Sequence, residues 1–356
     1  MSIIARYLCR RVLITCTLLL FGMAGFAMTF ELMEQSDRIL RAGDGDRAAL
    51  LHYSLLRLPD ILSRMLPIAT LIAAFLTLTS MLRHSELVAV WGGGVSTVGV
   101  LRATLPAGLL LAAVQLGLND RAVPATLERL HDWGVGDFAK RGILQGASEA
   151  VWLRSGRDIV RFPTEQAKSG RLENLQIFRR GADGLLSEHL FVGSARREGE
   201  TWILSDTVRR VVEPPQIASL GELDWNGLPD VEHLPLIARD LRDLPLADIG
   251  RLIDNQGYGQ RPTHLYRTWF QYRIASALTP LLMVALVVAL AQRFRRTGSF
   301  AMVMVSSLAI GFAFFVFDGV SLAIGEAGFV PPWLSAWSPA LVLTAVIGSL
   351  LVRDEG

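Results

Sequence analysis

The sequence has almost no lysine. Lys140 and Lys168 are the only two, and arginine supplies the rest of its 35 basic residues. Neither lysine stands in the Gly-x-x-x-x-Gly-Lys-Ser/Thr context of a phosphate-binding loop. Gly92-Gly93-Gly94 has no lysine after it and reads as a hinge. The chain therefore does not hydrolyse ATP by that mechanism. Cysteine is scarce too. Cys9 and Cys16 lie on or beside one apolar block, too far apart along a helix to bridge each other, so no disulfide framework exists. The six histidines are scattered, and no His/Cys spacing suggests zinc. His84, Ser85 and Glu86 are adjacent, and adjacent residues do not converge as a catalytic triad does. A net charge of +2 argues neither for nor against nucleic acid.

What the chain does have is long apolar runs, in a composition that is 51% hydrophobic. Six blocks stand out, at about Val12–Phe30, Leu62–Leu82, Val98–Leu118, Ile274–Ala291, Phe300–Leu322 and Trp333–Val352. Each approaches or reaches the roughly 20 residues that cross a bilayer, which predicts a polytopic membrane protein. The first block lacks a clear small-residue cleavage site and exceeds a usual signal-peptide core, so it is expected to remain. Arg6, Arg10 and Arg11 precede it and place the N-terminus in the cytoplasm by the positive-inside rule. Six spans return the C-terminus to that side. Arg293, Arg295 and Arg296 agree, and so does a segment without Lys or Arg from Ala323 to Pro332. Arg38, Arg41, Arg47 and Arg57, interspersed with acids, run against the rule.

The stretch from Asp60 to Gly94 organises the rest. After the second block, Arg83 and His84 mark an exit into water. A very short apolar segment follows, Glu86 to Trp91, with Ser85 as the expected N-cap and Gly92 as C′. A helix this short is not stable alone. Leu87, Val88, Val90 and Trp91 leave it almost no polar face. It must rest on the membrane interface, as an elbow, or on another protein.

Asn119 to about Arg261 is the only large polar block. Pro124 to Phe138 reads as a helix extending the third span. From Glu149 short strand-like runs appear: Ala-Val-Trp-Leu, Asp-Ile-Val-Arg-Phe, Leu-Gln-Ile-Phe, His-Leu-Phe-Val and Thr-Trp-Ile-Leu. Gly156, Gly170, the Gly181–Gly184 turn and Gly199 separate them. That spacing predicts a sandwich or jelly roll. Leu244 to Gln256 then reads as a short amphipathic helix with Asp243 as N-cap and Gly257 as C′. The β region is either a rigid cap or a surface for ligand or partner, since sheet edges and the space between sheets accept strands and acyl chains.

Ionisable groups near the spans carry two readings each. Arg64 either pairs with Asp60 at i,i+4 or faces an anionic lipid. Arg121 and Arg129, and Arg38 and Arg41 after the first span, allow the same alternatives, because arginine forks match phosphate geometry. Asp318 is interfacial or part of a gate. Glu31 and Glu34 have the wrong sign for phosphate. The two halves of the chain show no inverted repeat.

Four stretches together resemble the LptF/LptG (YjgP/YjgQ) family of permease subunits of the bacterial lipopolysaccharide exporter. Ile4-Ala5-Arg6-Tyr7-Leu8 is similar to the family's amino-terminal start. Ser85-Glu86-Leu87-Val88-Ala89-Val90, followed by glycines, resembles its coupling helix. Ala150 to Gly156, with Thr201-Trp202-Ile203-Leu204, resembles its periplasmic domain. Phe314-Phe315-Val316-Phe317-Asp318, Val330-Pro331-Pro332 and Ser338-Pro339 resemble the end of its membrane domain, in the LptG-type rather than the LptF-type subunit.

The resemblance implies an α-helical membrane protein with six transmembrane helices, three plus three, and an inserted all-β periplasmic domain, a β-jelly roll. The domains would be 1–119, 120–262 and 263–356. It would sit in the bacterial inner membrane with both termini cytoplasmic. It implies a transporter subunit rather than an enzyme, with no cofactor of its own; ATP and Mg belong to the partner. The implied partners are a homologous LptF-like permease, a dimeric LptB-like ATPase, a periplasmic bridge and its anchor (LptA/LptC-like) and lipopolysaccharide, with no nucleic acid. Ser85, Glu86, Leu87, Val88, Val90 and Trp91 become the coupling helix, with Glu86 as its polar contact to the ATPase. Arg38, Arg41, Arg64, Arg121 and Arg129 become the lipid-contact candidates. The family tends to place a basic residue near the outer end of the first span, where this chain has Glu31 and Glu34. The rival reading is a membrane anchor for an extracytoplasmic lipid- or partner-binding domain without transport.

Overall fold

The computed structural model describes residues 3–42, 46–135, 138, 150–155, 157–163, 171–181, 183–198, 201–226, 241–254, 262–297 and 300–355. The chain divides into two compact units, residues 1–136 with 268–356, and residues 137–267.

The first unit is helical. Its elements are α1 (Ile3–Ala42), α2 (Ala48–Arg83), α3 (Glu86–Gly92), α4 (Thr97–Gly117) and α5 (Val123–Trp133), the last two joined by a π-helical turn at Leu118–Ala122. Among the described residues five helices are long and apolar enough to cross a membrane: Ile3–Ala42, Ala48–Arg83, Thr97–Trp133, Val305–Glu326 and Pro332–Val352. A sixth arises if Thr263–Ala277 and Thr279–Ala291, bent by 43°, form one span. The bend has a local cause. Pro280 follows the break, has no N–H to donate, and its ring collides with the preceding turn. Leu278 sits at the corner and its N–H bonds back to the Ala275 carbonyl.

The long apolar blocks are thus helices, but longer than hydropathy alone marks. α1 starts nine residues before Val12 (12 − 3) and runs twelve beyond Phe30 (42 − 30). The helix expected over Pro124–Phe138 is α5, which ends at Trp133 with Gly134 in the left-handed region, φ 68°. It follows α4 through the π turn and packs against α2, so it belongs with the spans.

Inside a bilayer, apolar side chains gain little by leaving lipid, so close packing and polar ties hold the helices together. α8 (Thr279–Thr297) is the hub. Met283, Val284, Leu286, Val287, Val288 and Leu290 are all buried, against α2, α4, α9 (Phe300–Glu326) and α10 (Pro332–Glu355). Small residues let the backbones approach. A Cβ on Gly108 of α4 would lie 2.6 Å from Leu281 Cδ1 and 3.3 Å from its Cα, and one on Gly311 of α9 would lie 2.4 Å from Leu71 Cδ2.

Among the described residues the second unit holds an antiparallel seven-stranded sheet. Its strands are β1 (Ala150–Ser155), β2 (Asp158–Pro163), β3 (Arg171–Arg180), β4 (Leu186–Glu198), β5 (Thr201–Val211), β6 (Gln216–Leu220) and β7 (Leu223–Trp225). They pair in sequence order from β1 to β6, with β7 continuing along β5 beside β6. All five strand-like runs are strands, and the Gly181–Gly184 turn is present with Gly184 at φ 80°. Gly156, Gly170 and Gly199 lie outside the described residues. The described strands pair as a meander, without the crossovers of a jelly roll.

A row of irregular residues crosses the sheet. Asn174 on β3, Gly193 on β4 and Asp206 on β5 are skipped by the pairing on both sides. Asn174 and Asp206 adopt φ 57° and 55°, a left-handed conformation that these two residue types tolerate best after glycine. A Cβ on Gly193 would approach that of Asp206 to 2.8 Å. These one-for-one interruptions keep the strand register but switch the side-chain alternation. Leu172 and Leu175 therefore share the buried face, as do Val192 and Ala195, and Leu204 and Thr207.

Helix α6 (Leu246–Asp254) matches the short amphipathic helix, with a correction at its start. Asp243 lies in a preceding 3-10 turn, and the Pro245 carbonyl accepts from the Asp248 and Ile249 N–H groups instead. Gln256 and Gly257 lie outside the described residues. α7 (Thr263–Ala277) follows.

Gly108→Val tests the α4–α8 packing. It is expected to cost roughly 1–3 kcal/mol, seen as a lowered thermal midpoint in detergent. Gly117→Val on the same helix, where a Cβ meets nothing within 4 Å, is expected to leave the midpoint nearly unchanged.

Candidate functional site

The short helix between α2 and α4 is present, and it is capped differently from the sequence expectation. Ser85 adopts φ 58° and makes no side-chain cap bond. It is a corner that turns the chain out of α2, and its carbonyl accepts the Ala89 N–H at 2.9 Å. At the other end Gly92 is still helical. Gly94, at φ 85°, is the C′ residue. Its N–H bonds the Trp91 carbonyl, and the Val95 N–H reaches back to Val90. This pair of bonds is a Schellman motif, which needs glycine at C′. The Gly92-Gly93-Gly94 run is therefore a helix stop rather than a loose hinge. Ser96 caps α4 through its hydroxyl, which accepts from the Gly99 N–H.

Helix α3 is thus fixed at both ends. Leu87 is buried among Leu8, Val12, Leu78 and Met81, with Val90 and Trp91 packed on the same core. Val88, Ala89 and Gly92 remain exposed. Glu86 is held from α1. Its Oε2 accepts from the Tyr7 hydroxyl at 2.9 Å and from Arg11 NH1 at 2.8 Å. Partial burial pushes the Glu86 carboxyl up, but the hydrogen bonds from Tyr7 and Arg11 and the nearby positive charge hold it below the usual carboxylate range. Tyr7 and Arg11 were not read as site residues. Their i,i+4 spacing put them on one helix face, but their carboxylate partner lies 75 positions away (86 − 11).

Toward the other end of α1 a second cluster forms. Arg57 Nε donates to Glu31 Oε1 at 2.6 Å, and the Tyr53 hydroxyl donates to the same oxygen at 2.7 Å. Arg57 also pairs with the buried Asp60. Arg64 forks onto Asp60 with Nε at 3.2 Å and NH2 at 3.0 Å, while remaining 55% exposed. Glu31, the acid of unexpected sign, is therefore matched by an arginine from α2. Beside this cluster Ser63 donates to Asn119 in the π turn, and Gln115 Nε2 donates to both the Ser63 carbonyl, at 3.1 Å, and Asn119. Those bonds join the backbone next to Arg64 to the turn that bears Arg121. Arg38, Arg41, Arg121 and Arg129 are all exposed.

Asp318 has a partner as well. Tyr272 donates to its Oδ2 at 2.8 Å, and one turn away Trp269 Nε1 donates to Glu326 at 2.8 Å. These bonds tie α7 to α9.

In the β unit the two sheet faces differ. Val160, Phe162, Leu175, Ile177, Leu190 and Val192 form a fully buried face. The opposite face carries a ladder of rings. Trp152 stacks on Phe178 at 5.6 Å, Phe178 on His189 at 4.2 Å, and His189 meets Phe191 at 3.9 Å. The Arg161 and Arg210 guanidinium groups lie over Trp152 and Phe191.

His189 makes this ladder pH-sensitive. Burial, and secondarily the Arg210 charge, hold its imidazole below the ordinary 6.5. The fold therefore prefers the neutral ring. As pH falls through the unfolded value, the unfolded state takes up a proton that the folded state refuses, so stability is lost on the acid side and the loss levels off below the folded pKa. His189→Phe is expected to shrink the fall in thermal midpoint between about pH 7 and about pH 5. An equal fall in parent and variant would rule out this role.

The comparison with known families comes last. No curated protein matches the chain. The family described as lipopolysaccharide export system permease LptF/LptG matches residues 6–353. A helical unit with several helices long and apolar enough to cross a membrane, together with a β unit, is compatible with a membrane permease. A match over essentially the whole chain settles the membership: this protein belongs to the LptF/LptG family of lipopolysaccharide export permeases, membrane transport subunits rather than enzymes.

Proposed function

We propose that the chain works as an LptG-type permease subunit of an ATP-driven exporter. It extracts lipopolysaccharide from the outer leaflet of the bacterial inner membrane and passes it to a periplasmic bridge. Its partners are an LptF-like permease, an LptB-like dimeric ATPase that uses ATP and Mg, and LptA/LptC-like bridge and anchor proteins. Both termini face the cytoplasm and the β unit faces the periplasm.

The observation that carries this reading is the construction of α3. A seven-residue helix with a buried leucine, a stop motif and an anchored acid is stiff. A stiff element transmits displacement, whereas a loose elbow absorbs it. Val88 and Ala89 offer an apolar surface to the ATPase, and Glu86 adds charge. Coupling requires that the ATPase bind two permease states unequally. Closure of the ATPase moves α3, narrows the cavity between paired permeases and pushes lipid upward. Arg41, Arg64, Arg121 and Arg129, with Arg38, meet the anionic head group. The buried apolar face of the β unit is the first station for acyl chains, and its edge strands suit pairing with the bridge. A membrane anchor without transport would have no use for a capped α3.

Glu86→Arg is the test. It is expected to abolish export while expression and membrane insertion stay at the parent level. Unchanged lipid export from cells or proteoliposomes would remove Glu86 from the coupling step.

A further inference from the structure

Helix α3 is chained to α2 and α4 by the backbone, but its charged contact is with α1. Arg11 makes three hydrogen bonds there: NH1 to the Tyr7 hydroxyl at 2.7 Å, NH1 to Glu86 Oε2 at 2.8 Å, and NH2 to Ser80 Oγ at 3.2 Å. Tyr7 accepts from Arg11 and donates to Glu86, which closes a three-membered ring of bonds. The guanidinium carbon also sits 5.6 Å from the centre of the Tyr7 ring. Beneath this polar rim lies an apolar floor. Leu8 and Val12, on the buried side of α1, share a core with Leu87.

We propose that Arg11 and Tyr7 are the positioning residues of the coupling helix, and that through them α1 moves as one body with α3. The proposal rests on α3 being the coupling helix. Two further features carry it. The first is that only one oxygen of Glu86 is used. Among the described residues Oε1 accepts no hydrogen bond, so the clamp on Oε2 orients the carboxylate and leaves its other oxygen presented. A glutamate without the clamp would spread over several rotamers and lose that orientation, at an entropic cost on every productive encounter. The second is the build of α1. It is one helix of 40 residues without a proline, whereas α2 contains Pro59 and Pro67 and α4 contains Pro106 before the π turn. It is also loosely held on one side, with Leu18, Phe21, Phe26 and Phe30 exposed. An unbroken helix gripped at its inner end carries a displacement to Glu31 and the Arg57 cluster toward its other end.

The test uses the assembled exporter in proteoliposomes loaded with lipopolysaccharide, and reads lipid extracted per ATP hydrolysed. Arg11→Ala is expected to lower that ratio roughly tenfold, the size of one lost charge-assisted hydrogen bond. Arg11→Lys, which keeps the charge and one donor, is expected to recover at least half of it. Tyr7→Phe, which removes a single hydroxyl, is expected to give an intermediate ratio. A parent-like ratio in Arg11→Ala, or a lysine variant as poor as the alanine one, overturns the proposal. Where Arg11→Ala does not accumulate, Tyr7→Phe decides, and an unchanged ratio there overturns it. Failure of the coupling-helix reading looks different: export in the parent complex would then be indifferent to Glu86→Arg.

Discussion

Seven residues of α-helix do not hold themselves together in water. Nucleation fixes several dihedrals for the first bond, and so short a segment never recovers that cost by propagation. Helix α3 therefore exists only because everything around it is specified. Ser85 turns the chain in the left-handed region, Gly94 closes the far end, Leu87 enters the core, and Arg11 holds Glu86. Each device restrains a different degree of freedom. The consequence is mechanical. A segment that would be the softest point of the membrane unit becomes a fixed block between two spans, gripped by a third.

The same economy governs the spans. Lipid solvates leucine as well as a protein core does, so burial of apolar area does not choose a helix arrangement in a bilayer. Shape and polar ties choose it. Gly108 against Leu281, Gly311 against Leu71 and Gly325 against Ser335 let helix backbones close to contact. Ser63 with Asn119, Tyr272 with Asp318 and Trp269 with Glu326 then fix the register of the pairs they join. The remaining apolar surface is turned outward on α1, α9 and α10. Those helices are free to face lipid, while α8 is enclosed on nearly every side.

Much of this architecture is legible in the chain, at the level where composition is the cause. Twenty apolar residues have few alternatives to a span. The fourth block, Ile274–Ala291, is divided at Leu278 between α7 and α8, but the other five blocks each coincide with one long helix. Their ends do not, because α1 continues through Arg6, Arg10, Glu34 and Arg38, where hydropathy has no signal but helix propensity persists. The bend at Leu278 was readable from Pro280. The strands begin where aromatic and β-branched residues cluster, yet β4 and β5 extend through Ser, Arg and Glu on their open faces. The row of Asn174, Gly193 and Asp206 is invisible in sequence, because alternation looks merely broken there until three strands are laid side by side. The residues proposed for coupling were read as a contiguous motif, and they do form a short helix. Their anchors were missed because Tyr7 and Arg11 meet Glu86 only through the packing of α1 on α2.

The charge pattern near Glu31 shows how an acid of unexpected sign is absorbed. An acid on α1 would repel an anionic lipid if it stood alone. Here it does not stand alone. Arg57 lies between Glu31 and Asp60, and Arg64 completes the set, so two acids and two arginines form a neutral cluster. Charges so arranged cost less to withdraw from water than any one of them would unpaired. They also rank the arginines. Arg57 is committed to two carboxylates and is mostly buried, and turning it to a phosphate would strand both acids. Arg64 is more exposed and shares only Asp60, which keeps Arg57 if Arg64 swings away. Among the described residues Arg41, Arg121 and Arg129 take part in no ion pair, so a phosphate gains their charge without breaking one. Under the proposed role in lipid contact, these three are the arginines most readily turned to a phosphate and Arg64 the next, while Arg57 and Glu31 tie α2 to α1.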